Sequence, residues 1–192
     1  MAQARETLGL TFEVKWRPFF LDPSLPTEGK SKLEHYNAKF GVERVKQMAP
    51  FMKQTFESEG IPDYSMDGLL GNTFDSHRLI ELAGEQSEAK QDALVEQLFR
   101  AYFTQGKSLS DREVLVAAAG RAEVDGAREL LESSAKREEV LAGVEEAYRA
   151  GVTGVPHFRI RSSSGVVREL SGGQPPEEFL KIFSSFARRG GN

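Results

Sequence analysis

Cysteine is absent from all 192 residues, which excludes a disulfide scaffold, thiolate zinc sites and a redox dithiol built from this sequence. Histidine is scarce: His35, His77 and His157 are the only three, and none has a histidine at i+4 or a carboxylate at ligand spacing. No metal site is expected on that ground. No apolar run reaches the roughly 18 uncharged residues that a membrane-spanning helix needs. The opening Met1-Ala2-Gln3-Ala4-Arg5-Glu6 lacks the apolar core of a signal peptide. Neither a P-loop nor a dinucleotide fingerprint occurs. Ser162-Ser163-Ser164 has no accompanying base and reads as a turn, not a nucleophile. These absences point to a soluble cytoplasmic protein.

What is present is ordinary globular composition, 28% charged and 39% hydrophobic, enough for one core or for a domain with a sizeable insertion. The net charge of −4 argues against a nucleic-acid partner and against anionic membrane. Arg188-Arg189 is too short a basic run to change that, and reads as a solvated helix end.

Periodicity divides the chain. Residues 1–8 read as a helix tail closed by Gly9 in the left-handed C′ position. Leu10 to Phe20 then alternates, with Phe12, Val14 and Trp16 on one side and Thr11, Glu13 and Lys15 on the other, which predicts a strand with one buried face. Pro18, Pro23, Pro26 and Gly29 end it in a loop. From about Ser31 to Ala150 the spacing is helical. Leu33, Tyr36 and Phe40 mark one helix, and Val42, Val45, Met48, Met52 and Phe56 a second, kinked at Pro50. Asn72 or Thr73 caps a third, and Leu94, Val95, Leu98, Phe99 and Tyr102 face a fourth. Ser110 with Glu113 forms a capping box. Val124 to Leu131 and Val140 to Tyr148 give the last two.

The final segment changes period again. Two short strands, about 157–161 and 166–170, flank Ser162-Ser163-Ser164-Gly165 as a hairpin, and Pro175-Pro176 open a helix carrying Phe179, Ile182, Phe183 and Phe186.

Four stretches then carry a family likeness: Val14 to Pro23, Asn72-Thr73-Phe74-Asp75-Ser76-His77-Arg78-Leu79, Gly151 to Phe158, and Ser171-Gly172-Gly173-Gln174-Pro175. Together with the element order they resemble the DsbA-like thioredoxin superfamily, specifically its FrnE-like cytosolic branch. Kappa-class glutathione transferases and 2-hydroxychromene-2-carboxylate isomerases share that architecture. The resemblance implies an α/β thioredoxin-like domain at 1–29 and 151–192 with an all-helical insertion domain at 30–150. It also implies a cis peptide before Pro156, and a function in thiol–disulfide exchange.

Members of the branch begin with a strand and then a Cys-x-x-Cys, or a serine in glutathione-using relatives. This sequence begins inside what reads as the tail of the helix that follows, so the first strand of the fold and the redox motif are missing from it. The strand predicted at 10–20 and the one at 157–161 then both lose a neighbour. Truncation, strand exchange or a homodimer would account for that gap.

By resemblance, the backbone at Val155-Pro156 pairs with an extended thiol or disulfide peptide. Ser171, Gly172, Gly173 and Gln174 lie where relatives contact the γ-glutamyl group of glutathione, although the same residues make an ordinary turn into a helix. His77 is placed toward the cleft, where an imidazolium would lower a thiol pKa. Asp75 and Arg78 are spaced to pair at i, i+3, and His157 is a strand residue with its tip in the cleft. No catalytic residue and no resident cofactor is assigned, glutathione being a candidate substrate. The expected function is that of a FrnE-like oxidoreductase fold without redox turnover. Two alternatives stand: a glutathione-dependent transferase or isomerase, and a non-catalytic peptide- or partner-binding module.

Overall fold

The computed structural model describes residues 1–187, so the reading of Arg188-Arg189 lies outside the described residues. In chain order the elements are α1 (Ala2–Leu8), β1 (Lys30–Ser31), α2 (Lys32–Phe40), α3 (Val42–Ser58), β2 (Leu69–Leu70), α4 (Phe74–Gln86), α5 (Glu88–Phe103), α6 (Arg112–Arg121), α7 (Ala127–Leu131), α8 (Arg137–Arg149), β3 (His157–Arg161), β4 (Val167–Ser171) and α9 (Pro176–Ala187). They fall into two units, Met1–Val14 with Glu145–Asn192, and Lys15–Val144.

In the first unit α1 stops at Gly9, whose φ of 64° is the left-handed cap and whose N–H reaches Arg5 C=O. β3 and β4 pair antiparallel, His157 opposite Ser171 and Arg161 opposite Val167. The turn between them fixes that register. Ser162 N–H donates to Val166 C=O at 2.9 Å, Gly165 N–H to Ser162 C=O at 2.9 Å, and Val166 N–H to Ser162 Oγ at 3.0 Å. Gly165 has φ 85°, a conformation that favours glycine. With Ser162 bonded to Val166 and Pro156 to Gly172, the even-numbered residues of β3 bond to β4. The backbone groups of His157, Arg159 and Arg161 therefore turn to the opposite edge. Phe158 stands edge-on to Phe179 of α9 at 4.9 Å, and Phe12 to buried Phe183 at 4.8 Å. The stripe at i, i+4 on α9 thus collects the apolar side chains of this unit.

The second unit is helical. Leu79, Leu94 and Leu115 are fully buried where α4, α5 and α6 meet. Gly84 lets α4 and α5 close, because a Cβ there would stand 2.6 Å from Gln91 Nε2. α6 is capped by Asp111, whose carboxylate accepts from Glu113 and Val114 N–H. That moves the cap one residue beyond the Ser110 expected from sequence, Ser110 being engaged with Ser108 Oγ at 2.7 Å. α3 continues through Pro50 and buries only Val45.

The strand expected over Leu10–Phe20 does not form: among the described residues no ladder includes it. The alternation of burial survives from Thr11 to Val14, exposed and half-buried by turns. At Trp16 the backbone is satisfied by a side chain instead. Trp16 N–H donates to Gln91 Oε1 at 3.1 Å, and Gln91 Nε2 donates to Trp16 C=O at 3.3 Å. One buried amide thus supplies the donor and acceptor that a neighbouring strand supplies elsewhere.

Two buried cations are held by carbonyls. Arg78, 3% exposed, donates to Ala135, Leu130 and Ser133 C=O at 2.7, 2.6 and 2.7 Å and pairs with Asp75 at 2.8 Å. Lys32, 2% exposed, donates to Tyr102 C=O at 2.7 Å and lies 4.1 Å above the Tyr102 ring. Burial lowers the Lys32 pKa, opposed by the charge of Asp67. Arg78→Met takes the side-chain donor from the Ala135 and Ser133 carbonyls and one of the two cations from Asp75, so stability is expected to fall by about 3 kcal/mol, measurable by urea unfolding.

Candidate functional site

The Val155–Pro156 peptide is cis, and Val155 is 47% exposed, so this turn offers an accessible ledge. The ledge is tied to the segment after β4 by one bond, Gly172 N–H to Pro156 C=O at 2.8 Å. Gly172 sits at φ 78°, where a side chain is disfavoured. Gln174 folds its amide back onto Ser171 C=O at 2.7 Å. Five of the residues predicted from sequence, Val155, Pro156, Ser171, Gly172 and Gln174, are therefore held in one knot at the entrance to α9, with Gly173 exposed between them.

His157 adds a side chain to that knot. Its Nδ1 lies 2.9 Å from Ser171 Oγ and its Nε2 3.9 Å from Glu169 Oε2, while Arg159 Nε stands 3.6 Å from Glu169 Oε1. Sequence reasoning missed Glu169. The signal that finds it is the hairpin register, since Arg159 and Glu169 are directly opposed and one step from His157 and Ser171.

His77 lies on α4 in the helical unit. Its ring nitrogen Nε2 bonds Phe19 C=O at 3.1 Å, and its ring lies 5.5 Å from that of Phe20. A carbonyl partner fixes the proton on Nε2. Burial pushes its pKa down to about 4, against the raising effect of the Phe19 bond. At neutral pH the ring is uncharged, and the imidazolium role suggested by sequence is not available to it. The residues around it are scaffold: Asn72 Oδ1 accepts from Phe74 N–H at 2.8 Å in a turn ahead of the N-cap Thr73, and Asp75 makes the expected pair with Arg78.

Because folding lowers the pKa of His77 from the ordinary 6.5 to about 4, its contribution is complete above pH 6.5 and is lost as pH falls toward 4. Unfolding free energy is expected to drop by about 2 kcal/mol between pH 7 and pH 5 from this group. A His77→Leu variant should show a correspondingly shallower pH dependence in urea unfolding.

Comparison with known proteins agrees with this architecture. Residues 1–184 match the family of DSBA-like thioredoxin domains. The crystal structure of a probable DsbA oxidoreductase from Streptomyces coelicolor superposes with a TM-score of 0.76 at 31% identity, covering 92% of this chain and 75% of that one. No curated protein matches. With a helix-rich fold, a hairpin following Pro156 and a family match over almost its whole length, the chain belongs to the DsbA-like thioredoxin domain family.

Proposed function

We propose that this chain is a FrnE-like member of its family that docks an extended thiol- or disulfide-bearing peptide at the Val155–Pro156 ledge without itself exchanging disulfides. The observation that carries the reading is the Gly172–Pro156 bond. It immobilises the turn from the β4 side, while Val155 remains exposed and the backbone groups of His157 and Arg159 turn to the other edge of β3. A fixed row of backbone donors and acceptors is what an extended peptide recognises. Disulfide exchange requires a thiolate to attack a disulfide sulfur, and these residues hold no sulfhydryl.

Glutathione remains a candidate ligand because the Ser171–Gln174 turn adjoins the same ledge. The first turn of α9 weighs against its carboxylates docking at the helix end, since Glu177 and Glu178 already occupy that positive end. Glutathione would therefore dock as a short extended peptide, by its backbone at Val155. A homodimer, cytoplasmic residence, and the absence of nucleic-acid and membrane partners belong to the same proposal. The two absences rest on the net charge of −4 and on the finding that, among the described residues, no helix is long and apolar enough to cross a membrane.

The test is a titration with a short cysteinyl peptide followed by backbone amide NMR, alongside insulin reduction. Amide shifts concentrated at Val155, His157 and Gly172, with no reduction of insulin, are the expected outcome. Shifts confined to the helical unit would remove the reading, and insulin reduction by the pure chain would contradict its redox half.

A further inference from the structure

Residues directly opposed in an antiparallel pair share a face, so His157, Arg159 and Arg161 stand on one side of the hairpin with Ser171, Glu169 and Val167. On that face the His157 ring is held at one end and flanked by a carboxylate at the other. Ser171 Oγ is at hydrogen-bond distance from Nδ1, 2.9 Å, while Glu169 Oε2 stands 3.9 Å from Nε2. The second distance is too long for a hydrogen bond to a neutral ring. It sets the carboxylate beside the Nε2 edge of the ring without bonding it. The charged residues of β3 and β4 on this face are Glu169, Arg159 and Arg161, and Arg159 is itself paired to Glu169 at 3.6 Å. The ring is accessible, with 19% of the side chain exposed, and lies two residues along from Val155.

We infer that His157 is the proton acceptor for the thiol of the ligand docked at Val155, whether glutathione or a cysteine-bearing peptide. The inference rests on the docking reading above and adds the chemistry of the ligand's sulfur. When Nδ1–H donates to Ser171 Oγ, Nε2 keeps its lone pair. The ligand S–H bond breaks with both electrons left on sulfur, and the proton forms the new N–H bond at Nε2. The product is a thiolate beside an imidazolium, with Glu169 next to the new N–H. No oxidant or reductant takes part. The consequence is chemical: a free thiol with a pKa of about 8.5 is only a few per cent ionised at pH 7, and the thiolate is the reactive form. A chain without cysteine cannot offer that nucleophile, but a base beside the ledge generates it on the ligand. Ser171 acts here as a positioning residue, holding the ring through Nδ1.

The experiment uses the full chain with reduced glutathione and, in a separate arm, a short extended cysteinyl peptide. Binding is followed by calorimetry and ionisation by thiolate ultraviolet absorbance across pH, at saturating ligand so that altered affinity does not enter. The bound thiol is expected to ionise about one pH unit below the free thiol, giving a several-fold larger thiolate signal at pH 7. His157→Gln should return the profile to that of the free thiol. Ser171→Ala should move it part of the way, which a merely structural serine would not do. S-methylglutathione should bind with no signal. A response in one arm only assigns the ligand to that source. Binding with an unshifted thiol, or a profile that His157→Gln leaves unmoved, overturns the inference while leaving docking intact. Absence of binding in both arms overturns the docking reading and this inference with it.

Discussion

The pairing register of β3 with β4 is the constraint on which the candidate site depends. It places Pro156 opposite Gly172, so that one backbone bond fixes the ledge, and His157 opposite Ser171, so that the ring is gripped. It also turns Phe158 toward Phe179 of α9. A slip of one residue would exchange the two faces, burying arginines and exposing the apolar set. The three hydrogen bonds of the Ser162–Gly165 turn guard against that slip, which gives the serine-rich stretch an architectural purpose although it carries no chemistry.

The helical unit solves a different problem, that of burying polar groups without leaving any unpaired. Arg78 and Lys32 are almost wholly enclosed and rely mainly on backbone carbonyls. Gln91 does the complementary task, completing the backbone of Trp16 with its amide while also donating to Ile80 C=O at 3.2 Å. Among the described residues no buried side-chain nitrogen or oxygen lacks a partner. Such groups specify where the irregular connections lie, because removing any one leaves charges or carbonyls stranded.

Much of this was legible in the sequence. Apolar spacing located the helices from α2 to α9, since side chains three and four apart share a face whatever the rest of the chain does. The Gly/Pro stretch after Ala150 and the paired prolines before Phe179 marked the hairpin and its following helix. The segment 10–20 shows where that reasoning stops. Alternation reports which side chains are covered and not which backbone groups are paired, so Phe12 and Val14 look the same with or without a ladder. Long-range contacts were equally hidden. The charge state of His77 is set by its burial, opposed by its bond to the Phe19 carbonyl, and the environment of His157 by residues across a turn; neither stands at a spacing that periodicity detects. The cap at Asp111 differs for a local reason, because Ser108 competes for the hydroxyl of Ser110.

The enclosure of Lys32 also shapes how the surface of the protein meets electrophiles. Its amine is spent on the Tyr102 carbonyl and shielded by an aromatic ring, whereas Lys46 lies on α3 with 68% of its side chain in solvent. Acylating reagents will therefore tag the second in the native state and reach the first only through openings of the helical unit. The ratio of the two modifications is an intrinsic gauge of local opening, written into the chain without any added probe.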